Sequence, residues 1–177
     1  MNTFIRRAIG CAKLDTTVFN EIKQDSQALP QALLIVVLSG LAVGIASVPK
    51  AGAGGIFIGV VFDLAGWVLW SAVTYFIGAK LFPQSASKVD LSLIMRLVAF
   101  ASVPGILRVF GLIPSLERII LSLSAAWILV VRVIAIKIAF DYKSVWRAVG
   151  VCLLAGFILF LLLLLLVVLS GVQLKPA

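Results

Sequence analysis

Hydrophobic residues occur in five long runs along the chain, and polar residues are concentrated before the first run and in the short segments between them. Each run is close to the roughly 20 residues that an α-helix needs to cross the hydrocarbon core of a bilayer. Because lipid offers a spanning backbone no hydrogen-bond partner, such runs are expected to be helical. The pattern predicts an all-α integral membrane bundle of five transmembrane helices, with spans at about 31–48, 56–81, 90–113, 115–140 and 147–169.

The polar stretch before the first run has the periodicity of amphipathic helices. The apolar residues Phe4, Ile5, Ile9 and Ala12 recur at helical spacing, with the basic residues mostly elsewhere on the wheel. Asp15 and the threonines after it can cap a second helix, whose apolar residues share one face. Helices of this kind lie along a membrane surface or against another helix. We therefore predict an amphipathic interfacial lead-in, with a docking surface as a second interpretation.

The chain accordingly divides into three parts. Residues 1–29 are the cytoplasmic lead-in, residues 30–171 the membrane domain and residues 172–177 a short non-cytoplasmic tail. Pro30 and Pro49 are expected to delimit the first span, since proline is accepted in the first turn of a helix but disturbs its interior.

Small residues and one proline predict how the spans pack. Gly40 and Gly44 lie four positions apart, which allows a neighbouring helix to approach the backbone closely. The predicted helix-packing positions are Gly40, Gly44, Gly59 and Gly66. In the third span, Pro104 removes the hydrogen bond to the Phe100 carbonyl, so we expect a kink at Pro104–Gly105.

Ionisable residues inside the spans are the candidate functional residues. They are Asp63, Arg96, Arg108 and Arg132, and each costs roughly 2.5–3.5 kcal/mol on insertion scales at the bilayer centre. Asp63 and Arg108 fall at similar depth on the outer side, which predicts an interhelical charge clasp or, alternatively, a proton or ion site. Arg96 and Arg132 share a depth on the cytoplasmic side. Their guanidinium groups would either snorkel to lipid phosphates or bind an anionic headgroup.

Composition and charge agree with a membrane environment and set an orientation. Of 177 residues, 63% are hydrophobic and 12% charged, whereas soluble domains are roughly a quarter charged. The net charge of +8 follows from basic residues that flank spans, so nucleic acid is not an expected partner. Eight basic residues on one side and three on the other predict a cytoplasmic N-terminus and an outside C-terminus. The first group is Arg6, Arg7, Lys13, Lys23, Lys80, Lys88, Lys143 and Arg147, and the second is Lys50, Arg118 and Lys175.

Residues that carry chemistry are scarce. The chain has no histidine, which removes the commonest general base and metal ligand. Cys11 and Cys152 fall on the same predicted side and are expected to be unpaired thiols. No Walker loop, dinucleotide motif or intramembrane-protease motif is present. The sequence therefore predicts no cofactor, no metal and no enzymatic activity.

With the spans placed, the chain resembles the Yip family, named for the Ypt-interacting proteins of eukaryotic secretory membranes and common in bacteria. The resemblance rests on Phe19, Ile22 and Asp25, on 66–70 and 75–78 in span 2, on the stretch from Arg96 to Gly105, and on Trp127. It implies five helical spans with a cytoplasmic N-terminus. Eukaryotic members associate with prenylated small GTPases. The short polar region before span 1 disfavours GTPase binding here and favours a prokaryotic-type member in the bacterial plasma membrane.

Three functions are compatible with the sequence. The first is a non-enzymatic scaffold or adaptor that binds other membrane proteins or a second copy of itself, or that organises membrane lipids. The second is a small permease, channel or lipid translocator that uses Asp63 and the intramembrane arginines. The third is an accessory subunit of a larger membrane complex.

Overall fold

The computed structural model describes residues 3–83 and 89–169, and these residues form a bundle of helices. The predicted tail at 172–177 lies outside the described residues, as do Lys88 and Lys175 of the charge count. The α-helices are α1 (Thr3–Ala12), α2 (Thr16–Gln24), α3 (Leu29–Ala51), α4 (Gly54–Lys80), α5 (Leu91–Phe100), α6 (Glu117–Ala139) and α7 (Val145–Leu169). Two 3-10 segments, Ser26–Ala28 and Val103–Leu112, complete the helical structure of the described residues.

Four uninterrupted helices are long and apolar enough to cross a membrane within the described residues. They are Ser26–Ala51, Gly54–Lys80, Glu117–Ala139 and Val145–Leu169. The fifth candidate is the pair formed by α5 and Val103–Leu112, which bends by 42° at its break. We call this pair the broken span. The all-α membrane bundle expected from the hydrophobic pattern is therefore confirmed, with one of its spans divided in two.

The break falls at the predicted proline. α5 ends at Phe100, the residue whose carbonyl Pro104 cannot bond, and the chain continues as the 3-10 segment. Gly105 packs directly against the Ser39 hydroxyl of α3, so this backbone approaches closely at a position where a side chain would collide. The local disruption is a full break in the helix rather than a simple kink.

α1 and α2 form a short hairpin, which we call the N-terminal hairpin. Asp15 caps α2 by accepting a hydrogen bond from the Thr17 amide at 2.9 Å. The buried face of α2 consists of Val18, Phe19 and Ile22, which belong to the same hydrophobic core as the spans. The lead-in is thus packed into the bundle.

The face of α1 that is buried differs from the predicted one. Ile5 and Ile9 are 46% and 43% exposed, whereas Arg7 and Cys11 are buried. The prediction that the basic residues lie away from the buried side is wrong for Arg7. The physical reason is that Arg7 forms ion pairs with two carboxylates, those of Glu21 in α2 and of Asp25 just after it, so its charge is neutralised between α1 and α2. The isoleucines face outward, where lipid can cover them.

α3 and α4 pack closely along three of the four predicted glycines. A Cβ built on Gly59 would lie 2.6 Å from the Gly44 amide nitrogen and 2.8 Å from the Gly40 carbonyl oxygen. Only glycine fits at such a backbone-to-backbone contact. Gly66 is different, because nothing lies within 4 Å of a Cβ built there. The prediction that Gly66 packs against another helix is wrong within this chain, since it lies on the exposed side of α4.

The first span is longer than expected. The prediction that it ends before Pro49 is wrong, because α3 continues through Pro49 to Ala51. Proline removes one backbone bond close to the end of the helix, and a final bond from the Gly52 amide to the Val48 carbonyl still closes the last turn at 2.9 Å. Gly52 then takes a φ of 66°, which ends the helix in a conformation that suits glycine.

Polar contacts define the two ends of the bundle. At one end, which we call the hairpin end, Lys23 of α2 pairs with Asp141 at 2.7 Å, and the Tyr142 hydroxyl donates to the Phe82 carbonyl at 2.9 Å. At the far end, Lys50 pairs with Glu117 at 2.6 Å. The hairpin end is closed by contacts among α2 and the loops after α4 and α6, and the far end by a contact between the last turn of α3 and the start of α6.

A polar cavity between the spans

Polar and charged side chains from four elements line a cavity of about 280 Å³ among the spans. One water molecule occupies about 30 Å³ in the liquid, so the cavity has room for a small polar group. We call it the Arg132 cavity. It is lined by Ser39, Asp63, Trp70, Ser102, Arg108, Ala125, Ile128, Leu129 and Arg132.

The break in the third span helps to build this cavity. Ser102 lies in the turn between α5 and the 3-10 segment, and Arg108 lies on the 3-10 segment itself. α4 contributes Asp63 and Trp70, seven residues apart and therefore on one helix face. α6 contributes Arg132 from the direction of the hairpin end. Each charge is thus carried by a different element, and the break brings Arg108 into the group.

Arg132 is held by weak and neutral partners. Its guanidinium carbon lies 4.4 Å from the centre of the Trp70 ring, a cation–π geometry. Its Nη2 is 3.5 Å from the Ser102 hydroxyl, at the limit of a hydrogen bond, and its Nε is buried with no partner. Arg132 forms no ion pair within the described residues, so its guanidinium retains donors that no protein group satisfies.

Asp63 and Arg108, the predicted clasp, lie in the same cavity. The nearest atoms are Arg108 Nη1 and Asp63 Oδ1, at 3.9 Å. This distance allows electrostatic attraction but is too long for a direct hydrogen bond. The side chain of Arg108 is 20% exposed and that of Asp63 is 25% exposed, so the cavity is open to its surroundings. The carboxylate offsets one of the two arginines and leaves the cavity with a net positive charge.

Arg96 does not line the Arg132 cavity. It is buried on α5, where its Nη1 donates to the Ser92 hydroxyl at 2.9 Å. The structure separates the two arginines that the sequence grouped as one headgroup site. Arg96 is electrostatically coupled to Asp25, the residue that follows α2. The pKa of Asp25 is lowered mainly by its hydrogen bond with Arg7, and the positive charge of Arg96 lowers it further. Arg96 therefore has an acidic residue within electrostatic range.

Three uncharged lining residues that carry polar groups were not identified as site residues from the sequence. Ser39, Trp70 and Ser102 carry no charge, and serines in apolar helices usually bond to their own backbone. Ser102 does so, donating to the Val98 carbonyl at 3.2 Å, but the Ser39 hydroxyl and the Trp70 indole nitrogen have no partner. A sequence signal existed only for Trp70, which follows Asp63 at two-turn spacing on the same face.

The chemistry available in the cavity is recognition of charge. Two arginines, the Trp70 indole N–H and the Ser39 hydroxyl supply donors, whereas the Ser102 hydroxyl already donates to the Val98 carbonyl. Asp63 supplies the one carboxylate of the lining. No group of three or more side chains suited to holding a metal ion occurs between residues 3 and 83 or between 89 and 169. Cys11 and Cys152 are both buried and unpaired. The arrangement resembles a small site for an anion.

The fold and the cavity together define a multi-span α-helical membrane protein with charged groups among its spans. The sequence model of the Yip1 domain family matches residues 16–167, which is most of the chain. The chain therefore belongs to the Yip1 domain family, as the resemblance indicated. The match begins at the first residue of α2, so α2 lies inside the family's region and α1 lies before it. No curated protein matches the chain, and neither does any solved structure.

Proposed function

We propose that the protein is a non-enzymatic scaffold or adaptor that binds other membrane proteins through helices in the bilayer. The observation that carries this proposal is the second half of α7. Ala148, Val151, Cys152 and Ala155 are buried against the bundle, whereas no side chain from Phe157 to Leu166 is buried. Ten consecutive residues of a membrane helix are thus available for contact with another component of the membrane.

The bundle is built in a way that suits a scaffold. α3 and α4 are in backbone contact along their glycines, and the Lys23–Asp141 ion pair joins the N-terminal hairpin to the loop after α6. The exposed second half of α7 is therefore attached to a closely packed bundle. We propose a partner helix, from another membrane protein or a second copy, as its occupant. We further propose a bacterial plasma membrane as its location. A cytoplasmic N-terminus is proposed because basic residues flank the hairpin end.

Site-specific photo-crosslinking in native membranes tests this function. A photoreactive residue replaces Leu163, which is 58% exposed on α7, and in a matched control it replaces Phe57, which is 74% exposed on α4. We expect one protein adduct of discrete mass at position 163, present in stoichiometric amount, and lipid adducts at position 57. Lipid adducts alone at both positions, together with a monodisperse monomer in mild detergent, would contradict the proposal.

A second candidate function is supported by the Arg132 cavity. A small permease or lipid translocator needs a polar space that reaches its charged residues, and Asp63, Arg108 and Arg132 share such a space. Flux through protein-containing liposomes tests it, with Asp63→Asn as the variant. A flux that the substitution changes supports transport, and a flux that is unaffected by Asp63→Asn excludes a role for this site in transport.

A further inference from the structure

We infer that the Arg132 cavity is a binding site for a phosphate-type oxyanion, such as the phosphate of an anionic lipid. This inference does not depend on the scaffold function, because it concerns the charged cavity inside the bundle and not the exposed apolar half of α7. Arg132 is the principal ligand, with Trp70 and Arg108 beside it.

The balance of charge favours an anion over a cation or a proton. The cavity holds two guanidinium groups and one carboxylate. Asp63 is 3.9 Å from Arg108 and forms no ion pair with Arg132. A guanidinium in a low-dielectric site is stabilised by a negative partner, and phosphate geometry suits its planar donors. Asp63 attracts Arg132 only from a distance, and no carboxylate of the described residues forms a direct ion pair with Arg132.

Unsatisfied donors point to the same ligand class. Arg132 Nε, the Trp70 indole nitrogen and the Ser39 hydroxyl are each buried without a hydrogen-bond partner, and all three residues line the cavity. Leaving a buried donor unsatisfied costs free energy, so several in one cavity indicate a missing acceptor. An oxyanion accepts several hydrogen bonds at once, whereas a single water molecule accepts fewer.

The level of Arg132 along α6 brings it close to lipid headgroups. α2 lies beside the hairpin end of α6, where Thr16 and Asn20 share a groove with Ile134 and Lys137. Thr16 and Asn20 are exposed, and a polar exposed face needs water or headgroups around it rather than hydrocarbon. Arg132 is two residues from Ile134, or about 3 Å along the helix axis. A guanidinium at that level is within snorkelling reach of lipid phosphates.

Two sources of the anion share this chemistry, and the experiment separates them. Purified protein in detergent is titrated with phosphatidylglycerol, and bound lipid is counted by native mass spectrometry. In a parallel arm without added lipid, inorganic phosphate is titrated and its binding is measured by calorimetry. Comparisons are made among wild type, Arg132→Gln and Arg147→Gln. The last is a matched control, because Arg147 is an exposed arginine of the hairpin end that does not line the cavity.

We expect Arg132→Gln to weaken binding about tenfold or more, the usual effect of losing a charge-assisted hydrogen bond, and Arg147→Gln to leave it nearly unchanged. A loss confined to the phosphatidylglycerol arm identifies a lipid phosphate, and a loss in the inorganic phosphate arm identifies a free phosphate. Equal binding by wild type and Arg132→Gln in both arms would overturn the inference.

A second variant keeps the test decisive if Arg132→Gln folds poorly. Asp63→Asn removes the carboxylate that competes with the ligand for the arginines, and its change in size is small. An anion site should then bind about threefold or more tightly, since a nearby like charge is removed. Weaker or unchanged anion binding in a folded Asp63→Asn protein would contradict the inference.

Discussion

At the residue scale, buried charges organise the protein. Arg7 is 7% exposed and pairs with Glu21 at 2.9 Å and Asp25 at 2.8 Å. Breaking such a cluster leaves charged groups without partners, which costs more than the pair contributes when it is intact. Arg7 therefore holds α1 against α2. Arg132 shows the opposite case, a half-buried charge that lies beside an aromatic ring and has no ion-pair partner within the described residues.

The rate at which the buried thiol of Cys11 is labelled can measure how firmly α1 packs against α2. Burial raises the pKa of Cys11, so its reactive thiolate is scarce while the hairpin is packed. In a Cys152→Ala background, we expect Arg7→Gln to speed maleimide labelling of Cys11 by about tenfold, which corresponds to roughly 1.4 kcal/mol of local stability. The matched control is Arg6→Gln. Arg6 is 46% exposed and should change the rate by about threefold or less. Similar rates for the two variants would contradict the role of Arg7.

At the element scale, the α3–α4 contact depends on glycine at particular positions. Two helices in lipid gain little from the hydrophobic effect, so close packing of their backbones must supply the attraction. A Cβ built on Gly59 would collide with the backbone of Gly44, whereas a Cβ built on Gly66 of the same helix would meet nothing within 4 Å. This difference within one helix makes a matched pair of substitutions available.

We expect Gly59→Ala to lower the free energy of unfolding by about 1–3 kcal/mol, because the added methyl forces the two helices apart. Gly66→Ala should leave stability unchanged or raise it by up to about 1 kcal/mol, since alanine is the better helix former and meets no neighbour. Thermal and denaturant unfolding in the same detergent measures both. A destabilised Gly66→Ala monomer would show that this face of α4 packs against something in the protein as purified.

The N-terminal hairpin should respond to acid. Hydrogen bonds from Arg6 hold the pKa of Glu21 below its ordinary value of 4.5, and a hydrogen bond from Arg7 holds the pKa of Asp25 below 3.8. Groups with a lowered pKa stabilise the fold above their ordinary values and lose that contribution as the pH falls through the lowered ones. We therefore expect the hairpin to detach in acid, well below neutral pH.

A spin label on Asn20→Cys, in a background without Cys11 and Cys152, measures this detachment in zwitterionic nanodiscs. Its mobility should rise as the pH falls below about 4, near the ordinary carboxyl pKa values. Glu21→Gln should already be more mobile at neutral pH and should respond less to acid. A label equally immobile from neutral pH to pH about 3 would contradict the role of these ion pairs.

At the scale of the whole molecule, the two ends of the bundle have different partners. The hairpin end carries α1, α2 and the Lys23–Asp141 pair, and the far end carries the Lys50–Glu117 pair. With the broken span counted as one crossing, five crossings are predicted, which would place the two chain ends on opposite sides of the membrane. The excess of basic residues at the hairpin end predicts that it faces the cytoplasm.

Cysteine accessibility in intact cells tests the orientation. With Cys11 and Cys152 replaced, an impermeant maleimide should label Lys50→Cys from outside, and it should label Lys143→Cys only after the membrane is opened. Both lysines are exposed, so each substitution reports its side of the membrane directly. The reverse pattern would invert the orientation, and labelling of both from one side would contradict five crossings.

The sequence by itself determined the class of the protein, its family and the approximate position of each span. These features depend on long apolar runs and on local signals such as the Asp15 cap and Pro104, whose effects act within a few residues. It also indicated that Asp63 and Arg108 lie at similar depth, because rise per residue converts position into depth.

Only the tertiary structure decided which side chains meet. The burial of Arg7, the exposure of Gly66 and the separation of Arg96 from Arg132 all depend on how helices rotate about their axes, and periodicity alone does not determine this rotation. The Arg132 cavity likewise requires the 42° break, which brings Arg108 and Ser102 beside Trp70 and Arg132. Depth follows from counting along one helix, whereas contact depends on several helices packed together.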